Sequence, residues 1–133
     1  MPNKPSITVS SRDLERIEAL LERLPEDQQV ALRDELARAS VVEARDLPAT
    51  VVSMNSTVRL VDADNGEEMT LTLVYPRDAG SPGKVSVLAP VGSALLGLAV
   101  DQQIDWPLPG GRSRRLRVLE VSYQPEAAGD YHR

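Results

Sequence analysis

The 133-residue sequence contains no cysteine. That excludes a disulfide framework, thiolate metal sites and a cysteine nucleophile; it fits a reducing compartment, so a cytoplasmic location is expected. Phenylalanine is also absent, with one tryptophan and three tyrosines in the whole chain. Single-strand binding platforms need aromatic faces for bases to stack on, and the core has to be built from Leu, Val, Ile, Ala and Met. The one histidine, His132, stands beside the last residue, where side chains are usually mobile, so nucleophile–base chemistry has no evident base. No catalytic residue, metal site or cofactor is expected. No apolar run reaches the ~20 residues of a membrane span. The longest weakly polar stretch, Val85 to Val100, is broken by Pro90, Gly92 and Gly97. Met1-Pro2-Asn3-Lys4-Pro5 leads into no apolar segment, so no signal peptide is expected. Excess positive charge is lacking too: the net charge is −5, which makes direct nucleic-acid binding a poor expectation, since it depends on neutralising phosphates.

What is present begins with helical periodicity. Ile7-Thr8-Val9 reads as a short strand. Ser10 or Ser11 then offers a capping oxygen, and Asp13 falls in the first turn, where negative charge suits the helix dipole. Leu14, Ile17, Leu21 and Leu24 recur at intervals of three and four, predicting a helix from Arg12 to Leu24 with one apolar face. Pro25 ends it. A second helix is expected from Glu26 to Ala39, with Val30, Leu32, Leu36 and Ala39 as a less regular apolar face. The pair reads as an antiparallel hairpin, each arm about 20 Å long at 1.5 Å per residue. A hairpin that short is marginal alone and has to dock on something.

The linker from Val41 ends at Leu47-Pro48, and beyond it the period changes to alternation. Two domains are therefore expected, a coiled-coil hairpin at residues 1–46 and a mostly antiparallel β domain at 47–133, giving an α+β chain. Val58 and Leu60 alternate with Thr57, Arg59 and Val61; Met69, Leu71, Leu73 and Tyr75 alternate with Thr70, Thr72 and Val74. Between them Asn65-Gly66 is a strong hairpin signal. Lys84 to Leu88 is a short strand. Pro90 opens a short helix that Gly97 stops. Gln103 to Leu108, the turn Pro109-Gly110-Gly111 and a strand from Arg112 to Tyr123 complete the domain. The alternation in that last strand changes phase near Val118-Leu119, which predicts a bulge or a strand covered on both faces. From Gln124 on, few anchors are evident and a loose tail is expected.

Three clusters carry charge. Asp62, Asp64, Glu67 and Glu68 surround the first hairpin turn, where solvated acids are the plain reading and a weak cation site the alternative; no cation-loop spacing is present. Arg112, Arg114, Arg115 and Arg117 either meet an acidic partner or protect an edge strand. Glu26 and Asp27, beside Pro25 at the tip of the helical hairpin, either complement a helix dipole or reach a metal held by a partner.

Specific residues then point to a family. Val85-Ser86-Val87-Leu88-Ala89-Pro90-Val91-Gly92-Ser93-Ala94-Leu95-Leu96-Gly97 resembles the C-terminal domain of the Gre transcript-cleavage factors, in which a serine-proline motif opens a short helix. Trp106 to Gly111 followed by Leu119 to Tyr123 resembles the closing hairpin of the same domain. Val52 to Ser56, Leu73 to Pro76 and Tyr123 to Asp130 resemble small Gre-like members of the family, so the likeness spans most of Leu47 to Asp130. It implies an FKBP-like fold for that domain. It also implies docking at the RNA polymerase secondary channel in competition with Gre factors, and a genetic link to nucleoside diphosphate kinase levels. The matching helix region in Gre factors contacts the channel rim, which makes Ala89, Pro90, Val91, Ser93 and Leu95 the candidate docking residues, with Arg112 and Arg114 as a steering patch. Ala89 stands where the family's serine usually lies. Gre factors carry tip acids on a long coiled coil to the catalytic metal; arms of about 20 Å leave Glu26 and Asp27 short of it. A monomeric, non-catalytic factor that fills the channel entrance is therefore expected. Its rivals are a weak cleavage stimulator using Glu26 and Asp27, a direct effector of the kinase, and a self-associating scaffold. Prolyl isomerisation, which needs an aromatic-lined pocket, is set aside.

Overall fold

The computed structural model describes residues 7–107 and 113–129. Within it, Ser10 caps the first helix: its hydroxyl accepts the Asp13 N–H at 3.0 Å, and α1 runs over Ser11–Leu21. Ile17 and Leu21 are fully buried, and Leu14 and Leu24 pack against the same cluster, so the expected stripe is the buried one. Pro25, in extended backbone, precedes α2 at Glu26–Ala37. Here the expected face needs correction. Leu32 is buried and Leu36 packs beside it, but Val30 is 56% exposed. Positions 30 and 32 cannot share a helical face, and the 32/36 pair at one turn's spacing takes the core side.

The hairpin is clamped at its base. β1 (Thr8–Ser10) leads into α1, and β2 (Ser40–Val42), which follows α2, pairs with it in parallel. The linker expected from Val41 thus begins as a strand, three residues being too few to show a period.

The second part is a five-stranded sheet. Its strands are β3 (Thr57–Asp62), β4 (Glu68–Val74), β5 (Lys84–Ser86), β6 (Gln103–Pro107) and β7 (Ser113–Tyr123), in spatial order β5-β4-β3-β7-β6. All neighbours are antiparallel except β4 and β5. The β3–β4 turn forms as its residues predict: Gly66 takes φ +77° and its N–H donates to the Asp62 carbonyl at 2.8 Å. Along β7 the partner of Arg59 is Glu120 while that of Leu60 is Val118, so Leu119 is an extra residue. That is the bulge implied by the phase change, and a second shift falls at Ser122.

The helix α3 (Pro90–Leu95) follows β5 and ends at Gly97, with φ +82°. Gly97 ties the parts together. Its carbonyl accepts the Thr8 N–H at 3.1 Å, its own N–H donates to Val52, and a Cβ there would stand 2.6 Å from that of Ile7. One continuous apolar cluster joins Ile7, Val9, Ile17, Leu21 and Leu32 to Val52, Met54, Leu73, Leu95 and Leu98. The hairpin's missing partner is therefore the sheet part of its own chain.

The segment after β7 is anchored, contrary to expectation. Gln124 is 3% exposed and its side-chain amide donates to the carbonyls of Pro48 at 2.7 Å and Val51 at 2.6 Å. The expected Pro109-Gly110-Gly111 turn, Arg112 and His132 lie outside the described residues.

Candidate partner-docking site

The residues expected to dock divide sharply. Ala89 precedes α3 in extended backbone and is half-buried, as is Ser93. Val91 and Leu95, in contrast, are 6% and 0% exposed. They are core residues: a six-residue helix has to bury one face, and the valine and leucine, four apart, are that face. Of the five residues, Ala89 and Ser93 are the two whose side chains are shown to keep some accessible surface. No side-chain hydrogen bond caps α3, since Ala89 has none to give. The preceding turn is held instead by Ser86, whose hydroxyl accepts the Leu88 N–H at 3.0 Å. Gly92 is required by the close approach of α3 to β5: a Cβ there would lie 1.9 Å from the Ser86 carbonyl oxygen.

The arginine cluster is largely committed within the chain. Arg114 Nε donates to Asp62 at 2.8 Å and Arg115 to Asp64 at 2.6 Å. Asp62 is therefore not a solvated turn acid. It is 3% exposed, and the Arg114 hydrogen bond, helped by the Asp64 N–H, holds its carboxyl below the usual range. Arg117 stays exposed. At the hairpin tip Pro25, Glu26 and Asp27 are all exposed. Among the described residues, no group of three His, Cys, Asp or Glu side chains could hold a metal ion.

A polar cluster that sequence reasoning missed lies where α1 meets the sheet part. Asp13, read as a helix-dipole acid, is 2% exposed and accepts the Met54 N–H at 3.1 Å. Burial pushes its pKa up to about 6; the Met54 hydrogen bond opposes this and the nearby Glu126 charge adds to it. The Ser53–Ser56 turn supplies a hydroxyl chain, with Ser53 donating to Glu126 at 2.7 Å and lying 2.8 Å from Ser56. The Tyr75 hydroxyl completes the group. Burial, then the Asp13 charge, pushes it up to about 12; Arg16 is its cationic neighbour. The signal was present in Val52 to Ser56 and Tyr123 to Asp130, two segments singled out by pattern that here prove to meet each other.

A capped hairpin, clamped at its base and sharing a core with a mostly antiparallel sheet, defines a two-part α+β factor. Comparison with known proteins gives the class. Residues 47–123 match the family model described as transcription elongation factor GreA/GreB, C-terminal, and the chain belongs to that family. Residues 5–42 match the Rnk N-terminus. Over 97% of its length the chain is 47% identical to the regulator of nucleoside diphosphate kinase of Escherichia coli K12, covering 98% of that protein. It is 38% identical over 93 residues to the transcription elongation factor GreA of Chelativorans sp., covering 59% of that protein. A solved GreA/GreB elongation factor from Nitrosomonas europaea is 54% identical, superimposes with a TM-score of 0.77, and is matched over its whole length by 90% of this chain. Gfh1 of Thermus thermophilus, at 25% identity and a TM-score of 0.50, is a more distant likeness.

Proposed function

We propose that this chain is a non-catalytic accessory factor of RNA polymerase that docks at the secondary channel and excludes Gre factors by occupying the entrance. Membership of the GreA/GreB family supports the kind of partner. The observation that carries the mechanism is the length of the hairpin. Its helices have 11 and 12 residues, which at 1.5 Å per residue gives arms of about 17 Å. Glu26 and Asp27 then stay at the mouth of the channel. The chain acts as a monomer in the cytoplasm, through an FKBP-like sheet part whose Ala89 and Ser93 meet the channel rim. Its effect on nucleoside diphosphate kinase follows from altered transcription, without contact with the kinase. Arg114, already paired with Asp62, adds little steering, leaving Arg117 as the described cation of that strand that could contribute.

Binding to core polymerase tests this. The wild-type chain should be retained by immobilised core enzyme and displaced by excess Gre factor. Ala89→Arg should weaken retention without lowering the melting temperature. Retention that survives saturating Gre factor would contradict a shared site. Replacing both tip acids with alanine should change nothing; loss of an activity would favour a cleavage stimulator.

A further inference from the structure

Between α1 and the β4–β5 edge runs an open groove of about 930 Å³. Its charged lining is Arg16 of α1, Arg23 of the turn after it, Arg77 and Asp78 of the turn after β4, and Lys84, the first residue of β5. In a chain of net charge −5, four cations and one carboxylate face this groove. Arg23, Arg77 and Lys84 are exposed. Arg77 stands 3.8 Å from Asp78, with side chains 86% and 50% exposed, a contact too open to neutralise it. Between the cations the wall is mixed, with Leu20 on α1 and Val74 and Pro76 opposite supplying apolar surface beside the polar Asn55 and Thr72. Arg16 and Leu20 fall at i and i+4 on α1, and Arg23 follows in the turn after the helix, so a cation, an apolar side chain and a second cation line this side.

We propose that this groove binds an acidic polypeptide segment, one in which an apolar side chain seats on Leu20 between flanking carboxylates. Charge complementarity sets the sign of the occupant. A nucleic acid fits less well. Tyr75 is the single aromatic residue of the groove lining, too few for a run of stacked bases, and a polyanion running past its ends would meet a chain of net negative charge. The site is separate from α3, so it does not depend on the docking residues assigned above.

The test is fluorescence anisotropy of the full chain with a labelled peptide of alternating glutamate and leucine. Unlabelled peptide, inorganic triphosphate and a single-stranded oligonucleotide serve as competitors. Saturable binding that weakens with salt is expected, reduced about tenfold or more in Arg23→Glu/Arg77→Glu/Lys84→Glu and unchanged in Ala89→Arg. Should the triple variant lose its native melt, Arg77→Glu alone decides, with a loss of about threefold expected. No saturable binding, equal binding by the charge-reversed variant, or displacement by oligonucleotide or triphosphate at lower concentration than by peptide would each overturn the proposal. Failure of Ala89→Arg to affect polymerase retention would leave it standing.

Discussion

Asp13→Asn is the most informative single change. The carboxyl is 2% exposed and titrates near 6 against an ordinary 3.8. Between about pH 4 and 6 the folded chain keeps a proton that the unfolded chain has released, so stability falls as pH rises through that window. A separation of about two pKa units corresponds to about 3 kcal/mol, lost in full above pH 6. Asparagine retains an oxygen for the Met54 N–H and cannot ionise. Urea denaturation across pH 4 to 8 reads the effect. Relative to wild type, the variant should gain about 3 kcal/mol on going from pH 4 to pH 7.5, with the change centred near pH 5. Other carboxylates cancel in that difference, including Asp62, whose lowered pKa makes its own contribution fade in acid instead. Parallel pH curves for the two proteins would refute the assignment of Asp13 as a buried carboxylate whose ionisation strains the joint between α1 and the sheet part.

Three further outcomes are expected. Gln124→Ala removes both hydrogen bonds to the 48–51 segment; the Pro48 carbonyl keeps the Val51 N–H, but the Val51 carbonyl loses its donor, costing about 2 kcal/mol in chemical denaturation. Gly92→Ala drives a Cβ into the Ser86 carbonyl and should cost about 3 kcal/mol or more, seen as a lowered melting temperature. Ala89→Ser supplies the absent cap to α3 in backbone already extended at φ −70°, and should add about 1 kcal/mol to stability by the same measurement.

Local signals carried most of the elements. The Leu14–Ile17–Leu21 stripe, the Asn65-Gly66 turn, the proline at the head of α3 and the phase change at Leu119 each lie within a few residues, where periodicity and turn chemistry act. Their counterparts in the structure follow directly. What stayed hidden depends on partners remote in sequence. Asp13 meets Met54 41 residues away and Gln124 meets Val51 73 residues away, and no local pattern marks either as buried. β2 is too short to alternate. At α3, six residues offer less than two turns, so periodicity did not separate the buried Val91 and Leu95 from the more accessible Ala89 and Ser93. The basic stripe of β7 read as one patch because the acids that pair with it, Asp62 and Asp64, lie on another hairpin.

Occupancy of the channel without catalysis is tested most directly by transcript cleavage in a stalled elongation complex. Added alone, this chain should leave the RNA intact; added in excess with a Gre factor, it should slow cleavage in proportion to its concentration. Faster trimming by the chain alone, or Gre-stimulated cleavage unaffected at saturation, would contradict it.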